Sequence, residues 1–529
     1  SPFNDDGTLL NDFVPGSASQ VWNPLANFKV DGASVQKRKR FGTFTTLYAD
    51  ISLAEGLKYR FNAGAEIRND VYGEFYASKT TNNQGGLSTS QNRTSFRTNY
   101  TLENIVTYDK TFAQKHKINF TGLFSLQEQS GHNNEFRNSA IAADVLQYYN
   151  PTYGANLVGE GSEETWDIIS YMGRLNYSFD NRYLVTLTMR SDASSRLAPG
   201  NQTNLFPSAA VAWNIHNENF FKPVTLFTNL KLRGSYGKVG NTAISAYQTL
   251  GSLSPLTYNF GDATTVGTYL SNVANPDITW EYTTTANLGI DFGILNNRVT
   301  GSVEVYKQST DKLLLPQNLP ATSGIPNAIV TNVGKTENKG IELHLSTVNF
   351  QGGGRNGFGW TTDINFFINR GKIVQLADGV INDPANSRFV GQPLGVFYDW
   401  KKIGIWQATA EDTALARSLG QTVTGVGSVI GNIKRADISG PDGKPDGRLS
   451  DTYDRIILGS SQPKWEGGMT NRFSYQGFDL TLVLFARWGH MIRSSLHGGG
   501  FVNTFQGTYN NLKTRYWAPT NGENGYTKP

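Results

Sequence analysis

The sequence predicts an all-β protein, a large antiparallel transmembrane β-barrel, and three observations support this fold class. Residues 57–68 (LKYRFNAGAEIR) alternate between apolar and polar side chains almost without error. The same pattern recurs along the whole chain, in pairs of runs joined by short turns. These runs are about ten residues long, whereas strands of soluble sandwiches usually have about five or six. Alternation of this length predicts strands with one face toward lipid and the other toward water.

The composition agrees with a barrel and excludes several other classes of protein. The chain has 529 residues, of which 38% are hydrophobic and 12% aromatic, and its mean hydropathy is −0.39. A barrel reaches such a polar average because half of its strand residues face water. No segment approaches the roughly 18 consecutive apolar residues of a membrane helix. The net charge of +4 is not concentrated in any block, so nothing indicates nucleic-acid binding.

The sequence also offers no support for catalysis or for a required cofactor. Cysteine is absent, which excludes disulfides and cysteine-ligated metals. The six histidines are scattered, without the spacing of a metal-binding motif. There is no ordering of Ser, His and Asp for nucleophilic catalysis and no nucleotide-binding loop. We therefore expect that the protein is not an enzyme.

The alternating runs fall into seven hairpins, which gives roughly fourteen strands. Turns rich in Asp, Asn and Gly join the members of several pairs, as tight hairpins require. The pairs are residues 46–53 with 57–68, 99–108 with 118–127, 168–178 with 183–192, 207–215 with 229–236, 282–292 with 299–308, 340–345 with 361–369, and 465–475 with 478–487.

The connections between hairpins are predicted to be much longer than the turns within them. They comprise residues 69–98, 129–165, 238–279, 309–337 and 371–464. Short turns at one end and long loops at the other are typical of the periplasmic and extracellular ends of an outer-membrane barrel. Residues 371–464 should form an extracellular loop subdomain, because they include many aromatic and aliphatic residues and a predicted helix at 411–419.

Polarity assigns the two faces of each predicted strand. Leu187 and Met189 should face lipid, while Thr186 and Thr188 should face the lumen. The same rule directs Tyr59, Phe61, Leu288 and Ile290 outward, and Asn287 and Asp291 inward. An Arg or Lys on the lipid face at mid-depth costs about 2–4 kcal/mol, so the register is well determined.

A series of short motifs occurs in a fixed order between residues 165 and 480. They are RSDASSR at 190–196, FPS at 206–208, Trp213, LRGSYGKVGN at 232–241, Trp280 with Glu281, NLGID at 287–291, Tyr306, TDKLL at 310–314, NVG at 332–334, NKGIE at 338–342, DR at 454–455, GS at 459–460 and PK at 463–464. In these motifs the chain resembles the SusC/RagA-type TonB-dependent transporters of the outer membrane. Each motif alone is weak, but their order and rough spacing together are specific.

The resemblance implies a barrel of the 22-stranded type with an N-terminal plug domain in its lumen. The plug, its TonB-contacting box and the closing strands are not recognisable in this sequence. Residues 1–15 also lack the basic and apolar regions of a signal peptide. We therefore expect residues 1–529 to be part of one outer-membrane barrel domain, within a larger protein that supplies the plug and the closing strands.

The resemblance also implies a function and a set of partners. Family members import large solutes, typically glycans or peptides, across the outer membrane of Gram-negative bacteria with energy delivered through TonB. They work with a SusD-like surface lipoprotein. The expected partners are thus that lipoprotein, TonB through the plug, outer-membrane lipid and a glycan or peptide solute. The alternative is a structural or adhesive surface barrel without transport.

Two groups of residues are candidates for contact with the solute or the plug. Aromatic rings in or beside the predicted loops suit the apolar faces of sugars, and otherwise pack loops together or form a membrane girdle. These are Tyr148, Tyr149, Tyr153, Trp166, Tyr247, Tyr258, Phe260 and Trp406. Arg190, Asp192 and Arg196 lie where a strand runs into a loop. They form either a polar network at the rim of the lumen or an ion pair that satisfies its own charges.

Residues 437–454 are acidic and punctuated by glycine, which resembles a Ca²⁺-binding loop. The candidate ligands are Asp437, Ser439, Asp442, Asp446, Asp451 and Asp454. Hard cations need several oxygen ligands, and glycine allows the turns that bring them together. The spacing departs from the EF-hand pattern, and the terminal Glu is absent. A structural Ca²⁺ site and a solvated loop of ordinary Asp-Gly turns are the two interpretations.

Overall fold

The computed structural model describes residues 3–10, 22–29, 32–317, 319–326, 328–352, 357–377, 379–425, 427–494, 517–518 and 520. Within them the regular structure is mostly β, with α-helices α1 (Ala26–Lys29) and α2 (Ala410–Ser418). No helix in this part of the chain is both long and apolar enough to cross a membrane. The prediction that closing strands are absent concerns the end of the chain, most of which lies outside the described residues.

The strands confirm the predicted fold class. In chain order they are β1 (Ser34–Ala54), β2 (Leu57–Tyr76), β3 (Thr89–Phe112), β4 (His116–Asn138), β5 (Leu157–Phe179), β6 (Tyr183–Ser194), β7 (Thr203–Asn214), β8 (Phe227–Asn241), β9 (Ser252–Phe260), β10 (Ala263–Asn272), β11 (Glu281–Ile294), β12 (Val299–Asp311), β13 (Leu314–Gln317), β14 (Ile329–Asn332), β15 (Lys335–Gln351), β16 (Gly359–Gln375), β17 (Asn382–Asp383), β18 (Arg388–Phe389), β19 (Val396–Trp400), β20 (Lys402–Ile405), β21 (Ile433–Arg435), β22 (Arg455–Ser460), β23 (Trp465–Tyr475) and β24 (Phe478–Trp488). A large antiparallel sheet contains 14 of them in chain order, and the others form two-stranded ribbons. The number of sheet strands agrees with the sequence.

The chain divides into two compact units, each described by itself. The first comprises Ser1–Thr225, Leu230–Leu288 and Thr310–Val333. In this unit the strands β1 to β8 pair consecutively, each antiparallel to the next. The ribbons β9–β10 and β13–β14 also belong to it.

The second unit comprises Leu226–Asn229, Gly289–Ser309 and Gly334–Pro529. Here β15, β16, β23 and β24 pair in that order, all antiparallel. Between β16 and β23 the chain forms the ribbons β17–β18, β19–β22 and β20–β21, together with α2. The predicted helix at 411–419 is therefore confirmed within one residue at each end.

The strand register of the first unit separates an apolar face from a polar face. Side chains directly opposite each other on neighbouring strands share a face. Leu187 lies opposite both Leu175 and Ala209, and Leu175 lies opposite Phe120, which makes an apolar row across four strands. Leu187 is 50% exposed, so the protein itself does not cover this row. The predicted separation of Leu187 and Met189 from Thr186 and Thr188 is confirmed.

The second unit has the same two faces. The apolar face carries the opposed pairs Ile341–Ile368, Leu343–Phe366, Leu345–Ile364 and Met469–Leu484. Aromatic residues border it at both ends. Trp360 and Phe473 stack at 5.6 Å near one end, and Trp465 lies opposite Trp488 at the other. Two aromatic belts around an apolar band are typical of a membrane-spanning sheet.

The predicted boundaries of the first two long connections are wrong, because the strands continue far beyond the alternating runs. The strands β3, β4 and β5 have 24, 23 and 23 residues, so the connections shrink to residues 77–88 and 139–156. Beyond the apolar band both faces of a strand meet water, and the sequence loses its alternation while the hydrogen-bond ladder continues. In this polar region Gln91 still pairs with Arg137 on the neighbouring strand, and its side-chain amide donates to Glu135 Oε1 at 2.7 Å.

The two ends of each unit nevertheless differ as expected. In the first unit, residues 55–56, 113–115 and 180–182 form tight turns at one end, while 77–88 and 139–156 lie at the other. In the second unit, residues 476–477 form a tight turn, and the long segment 376–464 leaves from the opposite end. We call these the short-turn end and the long-loop end. The connections 238–279 and 309–337, predicted as loops, contain the ribbons β9–β10 and β13–β14.

Candidate solute-binding surface

The polar face of the first unit is a hydrogen-bonded wall. The Asn176 amide donates to Asn119 Oδ1 at 2.8 Å, and the Thr186 hydroxyl donates to Asn176 Oδ1 at 2.8 Å. Arg174 Nε donates to Thr188 Oγ1 at 3.3 Å. These side chains satisfy one another's hydrogen-bonding groups, so the wall presents a connected polar surface to water.

Toward the long-loop end, this wall carries the predicted rim residues Arg190 and Asp192. Arg190 Nε lies 2.8 and 2.9 Å from the two carboxylate oxygens of Asp192, and Arg190 also donates to the Ser170 hydroxyl at 2.9 Å. Asp192 is buried. The structure thus brings these two predicted residues together as an ion pair, while Arg196 has a different environment.

Arg196 lies over the indole ring of Trp166, with its guanidinium carbon 3.9 Å from the ring centroid. Trp166 is only 7% exposed, which argues against the prediction that its ring contacts a solute. Burial lowers the pKa of the Arg196 guanidinium, and the neighbouring Glu164 opposes this shift. The pair is a cation–π contact, so Arg196 does not join the ion pair of Arg190.

Residues of the motifs found in the sequence fix the conformation of the adjacent loops through hydrogen bonds. Asn332 accepts the Thr279 N–H at 2.7 Å, and its amide donates to the carbonyls of Thr279 and Lys312 at 2.8 and 3.0 Å. Glu281 accepts the backbone N–H of Leu314 at 3.2 Å. These side chains hold three segments of the first unit together through their backbones.

A small apolar core lies among the same loops. Leu197, Phe206, Ile278 and Trp280 are buried together, and the rings of Phe206 and Trp280 meet edge to face at 5.2 Å. The Trp280 indole donates to the Gln202 carbonyl at 2.7 Å. The motif residues thus have structural roles, which the sequence could not distinguish from contact with a solute.

The eight aromatic residues predicted to contact a solute fall into two groups, one buried and one exposed. Trp406 is 2% exposed, with Lys434 over its ring at 4.8 Å, and Tyr148 packs against the buried cluster around Phe75. As with Trp166, these positions argue against contact with a solute. The exposed rings are those of Tyr149, Tyr153, Tyr247, Tyr258 and Phe260. They remain the candidates for solute contact.

Two of the exposed positions have defined surroundings. Tyr258 and Phe260 meet edge to face at 4.8 Å near the tip of the β9–β10 ribbon. The Tyr247 hydroxyl accepts the Thr165 N–H at 3.2 Å, which attaches the segment before β9 to β5. Tyr247 has a φ of +65°, a left-handed conformation that is uncommon for a non-glycine residue.

The segment 376–464 has its own small core, as its composition predicts. Ile405, Trp406 and Ala416 are buried, and Thr409 caps α2 by accepting the Asp412 N–H. Asp412 pairs with Lys434 at 2.7 Å. The position of this segment on the cell surface and its recognition role stay predictions.

The proposed calcium ligands are engaged mainly by their own loop. Asp454 is fully buried and accepts the N–H groups of Ile438, Ser439 and Ser450 at 2.7, 3.0 and 2.7 Å. Three other carboxylates, those of Asp437, Asp442 and Asp446, accept the backbone N–H groups of Gly447, Lys444 and Arg448. Asp451 forms an ion pair with the Arg455 guanidinium. In the described part of the chain no three His, Cys, Asp or Glu side chains converge as a metal site would require. These contacts favour the turn interpretation, and calcium stays a prediction.

Comparison with known proteins agrees with the fold and the motifs. The family model described as "TonB dependent receptor-like, beta-barrel" matches residues 2–528. TonB-dependent receptor P3 of Formosa agariphila is 30% identical over 545 residues, which cover 100% of this chain and 51% of that relative. TonB-dependent receptor SusC of Bacteroides thetaiotaomicron is 38% identical over 221 residues, or 41% of this chain and 22% of SusC.

The solved structure of the RagAB peptide transporter has the same fold. Its TM-score is 0.76 at 22% identity, and the match covers 92% of this chain and 51% of that chain. The present chain spans about half the length of the curated relatives it matches. The chain belongs to the TonB dependent receptor-like β-barrel family of the outer membrane, and within it to the SusC/RagA type.

Proposed function

We propose that the protein forms part of a TonB-dependent importer that moves a large polar solute, a glycan or a peptide, across the outer membrane. The observation that carries this proposal is the polar face of the first unit. Its hydrogen-bonded side chains, such as Asn176 and Thr186, suit a water-filled passage. An adhesive barrel needs exposed loops but makes no such demand on its interior.

The exposed rings of the long-loop end support a solute of this class. Tyr258 and Phe260 together offer an aromatic surface on a two-stranded ribbon, and the polar residue Thr265 lies opposite Tyr258 on the same face. Aromatic faces bind the apolar faces of sugars as well as peptide side chains. RagAB is a peptide transporter, while the motifs of the SusC/RagA type imply glycans as well as peptides. An uptake experiment therefore has to distinguish the two solute classes.

Two partners belong to the proposal. A SusD-like surface lipoprotein would close over the long-loop end, and the folded segment 376–464 offers a surface for it. TonB would act through a plug domain, as it does in the family. The structural support for the first partner is the independent core around Trp406, which keeps the segment folded outside the sheet.

Uptake of labelled probes tests the function. Cells with and without the receptor are given fluorescent starch oligosaccharides or fluorescent tryptic peptides of casein, and internalised label is measured. We expect one probe class to accumulate only with the receptor. A double change Tyr258→Ala and Phe260→Ala should weaken binding about tenfold, equivalent to about 1.4 kcal/mol. Val266→Ala, an exposed position on the same ribbon, is the matched control.

Two results would contradict the proposal. Equal accumulation of both probes with and without the receptor would remove the import function. If cells without the receptor attached less well to polymer-coated surfaces but took up the probes unchanged, the adhesive alternative would be favoured.

A further inference from the structure

Three lysines surround one glutamate on the second unit. The Nζ atoms of Lys307, Lys339 and Lys372 lie 2.9, 3.3 and 3.6 Å from the carboxylate of Glu337. The lysine side chains are 50–59% exposed, whereas that of Glu337 is 15% exposed. One carboxylate cannot neutralise three ammonium groups, so this lysine cluster has a net charge of +2.

The lysine cluster is on the apolar face. Glu337 lies opposite Lys372, and Lys339 lies opposite Arg370. Two residues further along β15, Ile341 lies opposite Ile368 on the same face, because side chains two apart in a strand point the same way. The charges therefore continue directly from the apolar band and do not face the polar interior.

The height of the lysine cluster corresponds to the lipid headgroups. Trp360 marks the short-turn end of the apolar band on β16, and Lys372 is 12 residues further along the same strand. At about 3.3 Å per residue this is about 40 Å along the strand, or about 28 Å along the membrane normal at a tilt of about 45°. The apolar band of such a barrel is about 25 Å tall, so the lysines lie just beyond it.

The border of the apolar face is not basic on every strand. Arg370 adds a further positive charge beside Lys339, while its guanidinium donates to the carbonyls of Asn369, Pro463 and Lys464 at 2.7, 3.0 and 2.6 Å. In the first unit, the positions that follow the apolar row on β4 and β5 instead carry Glu128 and Asp167, which lie opposite each other. Basic residues therefore do not follow the apolar residues on every strand.

We propose that Lys307, Lys339 and Lys372 bind a phosphate group of an acylated anionic lipid in the outer leaflet, with Glu337 holding the three ammonium groups together. The acyl chains of that lipid would lie along the apolar face below, against residues such as Ile341. Ammonium groups are strong phosphate donors, and juxtamembrane basic residues attract anionic headgroups. This inference depends on the outer-membrane location of the family and is independent of the imported solute.

Lipid retention by the purified whole receptor tests the proposal. The receptor is equilibrated with phosphatidylcholine vesicles that contain a minor fraction of lipid A, and bound lipid is quantified by mass spectrometry. Replacing all three lysines by Gln should weaken lipid A binding by on the order of a hundredfold, about fivefold for each lysine. Replacing them by Arg should retain binding, which keeps the test valid if the Gln variant folds poorly.

Matched controls separate this site from general charge effects. Gln at Lys58, Lys117 and Lys444 removes the same charge elsewhere and should leave lipid A binding unchanged. Dephosphorylated lipid A should bind the unaltered receptor as weakly as lipid A binds the Gln variant at the cluster, and inorganic phosphate should not compete. Equal binding of both lipids, competition by inorganic phosphate, or equal losses from both triple variants would overturn the proposal.

Discussion

Leu484 and Thr470 lie on neighbouring strands of the second unit but on opposite faces. Leu484 is on the apolar face opposite Met469, while Thr470 is on the polar face opposite Asp363. Leu484→Arg should reduce the free energy of unfolding by about 2–4 kcal/mol, the cost of Arg at mid-depth in lipid. Thr470→Arg should have little effect, because its charge would meet water and the Asp363 carboxylate.

Unfolding of the receptor in lipid vesicles with increasing urea measures both variants. If both variants lost the same free energy of unfolding, the assignment of the two faces would be wrong. The comparison is sharp because both positions lie near the middle of the apolar band, so depth does not differ greatly between them.

Asn332 holds the loops of the first unit through three backbone contacts. Asn332→Ala removes all of them and leaves the Thr279 N–H and two carbonyls without this partner. Each buried group left unpaired costs about 1–3 kcal/mol. We expect faster hydrogen exchange in residues 275–282 with unchanged exchange in β5. Unchanged exchange near Thr279 would show that the contact contributes little.

At the scale of elements, the segment around Asp454 should respond to pH. Burial raises the pKa of Asp454, but the N–H groups of Ser450, Ile438 and Ser439 outweigh it and hold the pKa below its usual value. The carboxylate therefore stabilises the folded segment above about pH 4, and this contribution is lost as the pH falls through the lowered pKa. Limited proteolysis between residues 437 and 455 should accelerate at low pH.

Asp454→Asn is the control for this effect. The amide retains one acceptor oxygen but not the charge, so cleavage at neutral pH should be faster and should change less with pH. If a chelator alone produced the same loosening at neutral pH, the calcium interpretation would regain support over the turn interpretation.

The helix α2 and its neighbours make a further test at this scale. Deletion of residues 407–430 removes α2 and uncovers the buried Trp406. We expect weaker association with a surface lipoprotein, or reduced uptake, while the sheet remains as a heat-resistant species in the outer membrane. Replacing the exposed residues 442–445 by Gly and Ser is the matched control. Loss of the heat-resistant species would make the segment structural.

Much of the sheet could be predicted from the sequence because alternation records lipid on one side and water on the other. Leu187 and Thr186 are assigned correctly for this reason. The strand extensions, such as the region of Gln91, have water on both sides and therefore no alternation to read. The burial of Trp166 and Trp406 depends on contacts with residues distant in sequence, which no local pattern encodes.

At the scale of the whole molecule, the two functional hypotheses differ in their need for energy. In the import hypothesis, a solute held by exposed rings such as Phe260 is released into the polar passage, and the outer membrane has no energy source of its own. We therefore expect disruption of TonB to lower internalised solute to the level of cells without the receptor. Solute bound at the surface should persist, because the rings do not depend on TonB. Surface binding and internalisation measured separately with the same labelled solute would show this split, and internalisation that survives the loss of TonB would contradict energised import.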